Sequence, residues 1–95
     1  MPHYVYMLLS KHKDKFISYV GYTNNLKKRL ILHNTSRGAK FTKGKKWIII
    51  YKQKHPNKSD ALKDEYKLKK DYKLRNIIKN KFIKSEKKYI YNSTL

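Results

Sequence analysis

The sequence predicts an α+β domain in which a small three-stranded antiparallel sheet is flanked by helices. Residues 4–9, YVYMLL, and 16–22, FISYVGY, are β-branched, aromatic and aliphatic runs on either side of the charged stretch KHKDK, the pattern of a hairpin. A third such run, WIIIYKQ over 47–53, supplies the last strand. Elsewhere apolar residues recur at helical spacing over about 26–34, 59–70 and 71–84. The order ββα–β–αα is that of helices covering an antiparallel sheet.

In chain order, Gly21 within the second strand marks either a bulge or the close approach of another backbone. Thr23 or Asn24 can cap the helix that ends near Asn34. SRGAKFTKGKK, residues 36–46, holds two of the three glycines and five cations and reads as a loop. His55-Pro56-Asn57 breaks the chain ahead of a helix from about Ser59 to Lys70. Asp60 lies in its first turn, where the helix dipole favours a carboxylate. Leu74, Ile77, Ile78 and Phe82 continue as a third, more basic helix. Residues 1–84 are expected to form one domain and 85–95 a loosely ordered basic tail.

Composition narrows the function. Ninety-five residues form one small domain, burying roughly 60–65% of its unfolded surface. There is no cysteine, hence no disulfide framework and no thiolate metal site. The longest apolar runs, 4–9 and 47–51, are far short of the ~20 residues that span a bilayer. The N-terminal MPHYVYML has no basic segment before a long apolar stretch, which argues against a secretory signal and for the cytoplasm. Twenty-five Lys and Arg against six Asp and Glu give a net charge of +19. Such an excess opposes compaction and favours a polyanionic partner. The predominance of lysine, with Asn, Ile and Tyr also abundant, fits an AT-rich genome; that bias does not explain the scarcity of acids.

Two helices place charge on an apolar face. Leu26, Arg29, Leu30 and His33 fall at i, i+3, i+4 and i+7, and an arginine there resists burial unless something pairs with it. Ala61, Glu65 and Leu68 share a second stripe, which Leu62 widens. A carboxylate among them calls for an ion pair with Arg29 or a lysine, for a metal ion, or for a raised pKa. The hairpin carries Tyr4, Tyr6, Tyr19 and Tyr22, ordinary strand residues whose hydroxyls become bases or orienters beside a cation. Of the four histidines, only His33 neighbours other candidate residues, and none has metal-ligand spacing that suggests zinc. One carboxylate suffices for a hard divalent cation completed by water and substrate phosphate. Tyrosine, arginine, histidine and glutamate on a strongly basic surface are the equipment of phosphodiester hydrolysis.

The residues also resemble a family. Tyr4-Val5-Tyr6 and, thirteen residues on, Tyr19-Val20-Gly21 resemble the two signatures of the GIY-YIG nucleases. Leu26-x-x-Arg29-Leu30-x-x-His33-Asn34 is similar to their arginine helix, and Ala61-Leu62-x-x-Glu65 to their glutamate helix. Gly38-Ala39-Lys40-Phe41-Thr42-Lys43-Gly44 with Trp47 resembles the loop and third strand of one branch, which comprises short stand-alone bacterial proteins and the catalytic domain of structure-specific resolvases. The match covers about residues 4–70. It departs in having Tyr4 for glycine and valine for both isoleucines, and it lacks the cysteines of the resolvase zinc domain.

The resemblance implies a GIY-YIG-like fold and a metal-dependent DNA endonuclease, with structure-selective cutting in repair or recombination as the expected role. It implies one Mg²⁺ or Mn²⁺ on Glu65, Tyr6 as water activator supported by Tyr19, Arg29 on phosphate, and His33 in positioning or proton transfer. Asn76 and Asn80 are both candidates for a further site asparagine. Lys28, Arg37, Lys40, Lys43, Lys45 and Lys46 are expected to contact DNA phosphates. Two other readings compete: a catalytically inactive nucleic-acid-binding protein that keeps the fold, and a peripheral protein held on acidic lipid. The stripe of 71–84 is thin and lacks tryptophan for the latter, so no membrane partner and no small-molecule cofactor are expected.

Overall fold

The computed structural model describes the backbone of residues 2–93 and the side chains of residues 2–86. Strands β1 (His3–His12) and β2 (Lys15–Thr23) form the expected hairpin across the two-residue turn Lys13-Asp14, with Lys13 in the left-handed region at φ 56°. Strand β3 (Ile48–His55) pairs antiparallel with the other edge of β1, so the sheet runs β2-β1-β3. The central strand is accordingly buried from Val5 to Ser10. Its ladder with β3 slips between Met7, opposite Tyr51, and Leu8, opposite Ile49, leaving Ile50 as the extra residue.

No bulge occurs at Gly21, which sits directly opposite Tyr6 in an unbroken β1–β2 register. The approach made there is by a side chain rather than a backbone, since a Cβ on Gly21 would overlap the Tyr6 hydroxyl. Glycine is therefore required by sterics.

Helix α1 (Leu26–Asn34) begins one residue later than Thr23 or Asn24 would set it. Asn25 is the cap, its Oδ1 accepting from the Lys28 N–H at 3.1 Å. Thr23 is still in β2, and its hydroxyl accepts from the Asn25 N–H at 3.1 Å, shaping the turn. Helix α2 (Lys58–Lys70) is capped by Asn57, whose Oδ1 accepts from the Asp60 N–H at 2.8 Å. Helix α3 (Tyr72–Ser93) follows after Asp71, whose carboxylate accepts from the Leu74 N–H at 3.0 Å. The α2–α3 corner is locked by Arg75, which donates to the Leu68 carbonyl at 2.9 Å and to the Lys69 carbonyl. These carbonyls have no partner within their own helix. Helical backbone thus continues from 71–84 into the segment expected as a tail; its last two residues, 94–95, lie outside the described residues.

Alternation along β1 divides the core between the two faces of the sheet. Val5 and Met7 join Val20 against Ala61 and Leu68 of α2, with Ile50 and Ile78 packed at the margin. Tyr6, Leu8 and Trp47 form the other cluster, with Tyr19 and with Leu26 and Leu30 of α1. Leu62 is exposed, so the buried stripe of α2 is narrower than expected. The loop 36–46 contains one turn of 3-10 helix, Lys40–Thr42, and Thr42 is fully buried. Among the described residues, no helix is long and apolar enough to cross a membrane.

Candidate active site

Tyr6 is the hub of the site. Strand alternation turns it toward α1, where it is 2% exposed. Its hydroxyl lies 2.8 Å from Nε2 of His33, which is buried in the last turn of α1. The other ring nitrogen, Nδ1, lies 2.8 Å from the Thr42 hydroxyl. That hydroxyl has a single proton and donates it to the Ala39 carbonyl at 2.9 Å, which can only accept. Thr42 oxygen therefore accepts from His33 Nδ1–H, and Nε2 is left free to accept from Tyr6. The result is one directed chain: Tyr6 O–H to His33, His33 N–H to Thr42, Thr42 O–H to Ala39. Burial, and secondarily the charge of Arg29, hold the His33 pKa below its ordinary value and so favour the neutral imidazole the chain needs.

Arg29 comes one turn before His33 on α1, half-buried. Its positive charge favours the Tyr6 phenolate. Burial opposes this more strongly, with smaller contributions from Tyr19 and Glu65, and the Tyr6 pKa stands above its usual value. Tyr19 packs its ring edge-on to His33 at 5.2 Å and stacks on Phe41 at 6.1 Å. His33 thus touches both Tyr6 and Tyr19, and the charges of Arg29 and Glu65 act on the Tyr6 hydroxyl.

Glu65 reaches the cluster from α2. Its side chain is 19% exposed and pairs one turn on with Lys69 at 3.7 Å. Such i,i+4 pairs contribute only about 0.3–0.5 kcal/mol. That is too little to explain why a carboxylate is held beside a buried tyrosine. Its hard oxygens suit a divalent ion completed by water and substrate phosphate. Among the described residues no group of three or more His, Cys, Asp or Glu could hold a metal ion.

The loop that brings Thr42 to His33 is itself clamped. The Trp47 N–H donates to Asn34 Oδ1 at 2.6 Å, Asn34 Nδ2 donates back to the Trp47 carbonyl at 3.0 Å, and the indole N–H donates to the Thr42 carbonyl at 2.9 Å. A Cβ on Gly38 would overlap the His33 imidazole. Sequence reasoning missed Thr42 and the role of Gly38. The available signal was slight: Thr42 is the lone hydroxyl residue in GAKFTKGKK, and a loop has no periodicity to reveal burial.

Of the expected DNA-contacting cations, Lys28, Arg37, Lys40, Lys43 and Lys46 are exposed. Lys45 instead lies over the Phe41 ring, 5.6 Å from its centroid. Lys46 borders a different cavity, near the hairpin turn and α3, with Lys11, Phe16 and Phe82. Asn76 is half-buried, and Asn80 borders a groove on α3 with Ile77 and Lys84, away from the five site residues.

The family model for the GIY-YIG catalytic domain matches residues 2–81. The chain is 46% identical over 68 residues to the UPF0213 protein OB0043 of Oceanobacillus iheyensis, covering 70% of this chain and 76% of that one. It is 42% identical over 87 residues to the UPF0213 protein CPE1444 of Clostridium perfringens, covering 87% and 89%. A UPF0213 protein of Streptococcus pneumoniae is 35% identical over 71 residues, covering 74% and 71%. No solved structure matches. With the family model covering residues 2–81 and relatives of 35–46% identity, the chain belongs to the GIY-YIG catalytic domain family.

Proposed function

We propose that the chain is a divalent-metal-dependent endonuclease that hydrolyses phosphodiester bonds in DNA. One observation carries this reading: the directed Tyr6–His33–Thr42 chain, with an arginine and a carboxylate beside the tyrosine hydroxyl. A protein that only binds nucleic acid has no need of a buried imidazole with a fixed tautomer.

Tyr6 accepts a hydrogen bond from the attacking water, because the proton of its own hydroxyl is already committed to His33. As water attacks phosphorus, the bond from phosphorus to the leaving sugar oxygen breaks. The water proton moves to the Tyr6 oxygen, the tyrosine proton moves to His33 Nε2, and the departing oxygen takes a proton from solvent. His33, neutral beforehand, is the acceptor at the end of this transfer. Tyr19 holds the imidazole edge-on. Arg29 stabilises the extra charge on the phosphate oxygens. Glu65 would hold one Mg²⁺ or Mn²⁺, which when bound polarises a phosphoryl oxygen. Lys28, Arg37, Lys40, Lys43, Lys45 and Lys46 supply phosphate contacts that position DNA without reading its sequence. The role proposed with this chemistry, on the family resemblance, is cytoplasmic repair or recombination.

The test is incubation with labelled linear, flapped, branched and single-stranded DNA, with and without Mg²⁺ or Mn²⁺. Cutting that needs the ion and vanishes in Tyr6→Phe supports the reading. Binding without cutting of any substrate by the parent protein overturns it.

A further inference from the structure

We propose that the outer edge of β2 beside the catalytic cluster binds a single DNA strand splayed from its partner, with Phe41 as the platform on which one base stacks. The proposal rests on the nuclease reading for its substrate and adds where the strand lies.

Phe41 is 51% exposed, yet it is held in place. Its ring stacks on Tyr19, 6.1 Å and 20° apart, and lies 6.2 Å from Trp47. Trp47 is in turn pinned to Thr42 and Asn34. A large aromatic surface fixed from behind and open to water in front is what base stacking requires.

A groove of about 380 Å³ runs along this edge, lined by Ser18, Tyr19, Val20, Phe41, Lys69 and Arg75. Cations lie on both sides of the platform. Lys45 stands 5.6 Å from the Phe41 centroid on a flexible stem that can exchange the ring for a phosphate, while Lys69 and Arg75 form the opposite wall. Aromatic stacking between backbone-tracking cations is the general means of holding single strands. β2 is an edge strand, so no further strand obstructs the groove. Tyr19 links it to the chemistry: the ring behind Phe41 is also 5.2 Å from His33. A strand seated here presents its backbone to Tyr6 and Arg29. Bases inside a duplex already have both faces covered and cannot use Phe41, so the groove selects flapped, forked or otherwise splayed DNA.

Binding is measured without metal, so that no cutting intervenes, by fluorescence anisotropy of labelled oligothymidylate and of a duplex of the same length. Phe41→Ala should weaken the single strand by about tenfold, the worth of one stacked base, and leave the duplex nearly unchanged. Phe41→Trp should restore strand binding. A 2-aminopurine in the strand should be quenched by the parent protein and not by Phe41→Ala. Equal losses on strand and duplex, no loss on strand, or no rescue by tryptophan would each overturn the platform. If the parent binds neither DNA, the nuclease reading falls with it. Strand-selective loss in a protein that never cuts would support the groove and sink the nuclease reading alone.

Discussion

Replacing Thr42 by valine keeps the volume of a fully buried side chain and deletes the acceptor of the His33 Nδ1–H. The swap is nearly isosteric but not conservative, because the hydroxyl is the point. If the proton stays on Nδ1, a buried donor is left unpaired at a cost of about 1–3 kcal/mol. In a domain of this size that lowers Tm by roughly 4–8 °C for each kcal/mol. The imidazole can escape this cost by moving its proton to Nε2, which then donates to the Tyr6 oxygen and reverses that bond. Tyr6 then has no acceptor for its proton, and general-base assistance of about 10²–10⁴-fold is lost. Either way the variant is impaired, and the two routes have different signatures. Single-turnover cutting of forked DNA in Mg²⁺ gives the rate, thermal unfolding gives the stability, and ¹⁵N shifts of the His33 ring report which nitrogen carries the proton. Thr42→Ser keeps the hydroxyl and should cut within a few-fold of the parent. A Thr42→Val protein as stable as the parent that also cuts at the parental rate would refute the directed chain.

The Glu65 carboxylate is tested by Glu65→Gln, which should abolish cutting and Mn²⁺ binding, followed by calorimetry, while thermal stability changes by no more than about 0.5 kcal/mol, the worth of its pair with Lys69. Retained cutting would make Glu65 merely structural. Tyr6→Phe and Arg29→Lys should bind DNA nearly normally and cut at least about tenfold more slowly, the first lacking the hydroxyl and the second the planar guanidinium. Tyr22→Phe, whose hydroxyl bonds His3 outside the site, should cut like the parent, and equal rates for the two phenylalanine variants would reduce Tyr6 to packing. The depressed His33 pKa gives a stability signature of known sign. Above the unfolded value near 6.5 both states are neutral, and as pH falls through it the unfolded chain takes the proton first, so stability drops toward acid. His33→Gln should flatten this part of the Tm–pH curve between about pH 7.5 and 5, and an unchanged slope would show that His33 titrates normally.

Much of this was legible in the sequence because the information was periodic. The hairpin, the third strand and all three helices follow from apolar spacing, and the placement of Arg29 and His33 on one face follows from 3.6-residue periodicity. Glu65 stood out as a charge in an apolar stripe. The details that escaped depend on contacts between elements. The cap fell on Asn25 because Thr23 was still needed in the β2 ladder. The bulge arose at Ile50, inside the uniform run WIIIYKQ, where no residue type marks it. Thr42 is buried by a loop folding back on α1 through Asn34 and Trp47, a long-range event that local composition, dominated by lysine, conceals.

The hydrogen-bonded chain could be read as mere core satisfaction, a way to bury a tyrosine and a histidine without unpaired atoms. The glycines argue otherwise. The chain has three, and two of them make room for this array: Gly21 for the Tyr6 hydroxyl and Gly38 for the His33 ring. Glycine weakens a strand interior, so placing one within β2 sacrifices local stability. An apolar pair at positions 6 and 33 would fill the same space with no buried polar group to satisfy and no glycine opposite. A small domain with net charge +19 has little stability to sacrifice, since self-repulsion already opposes its compact state. That it nonetheless accommodates a buried tyrosine, a buried histidine and a nearby arginine is explained by the phosphodiester hydrolysis proposed for them, and by packing it is not.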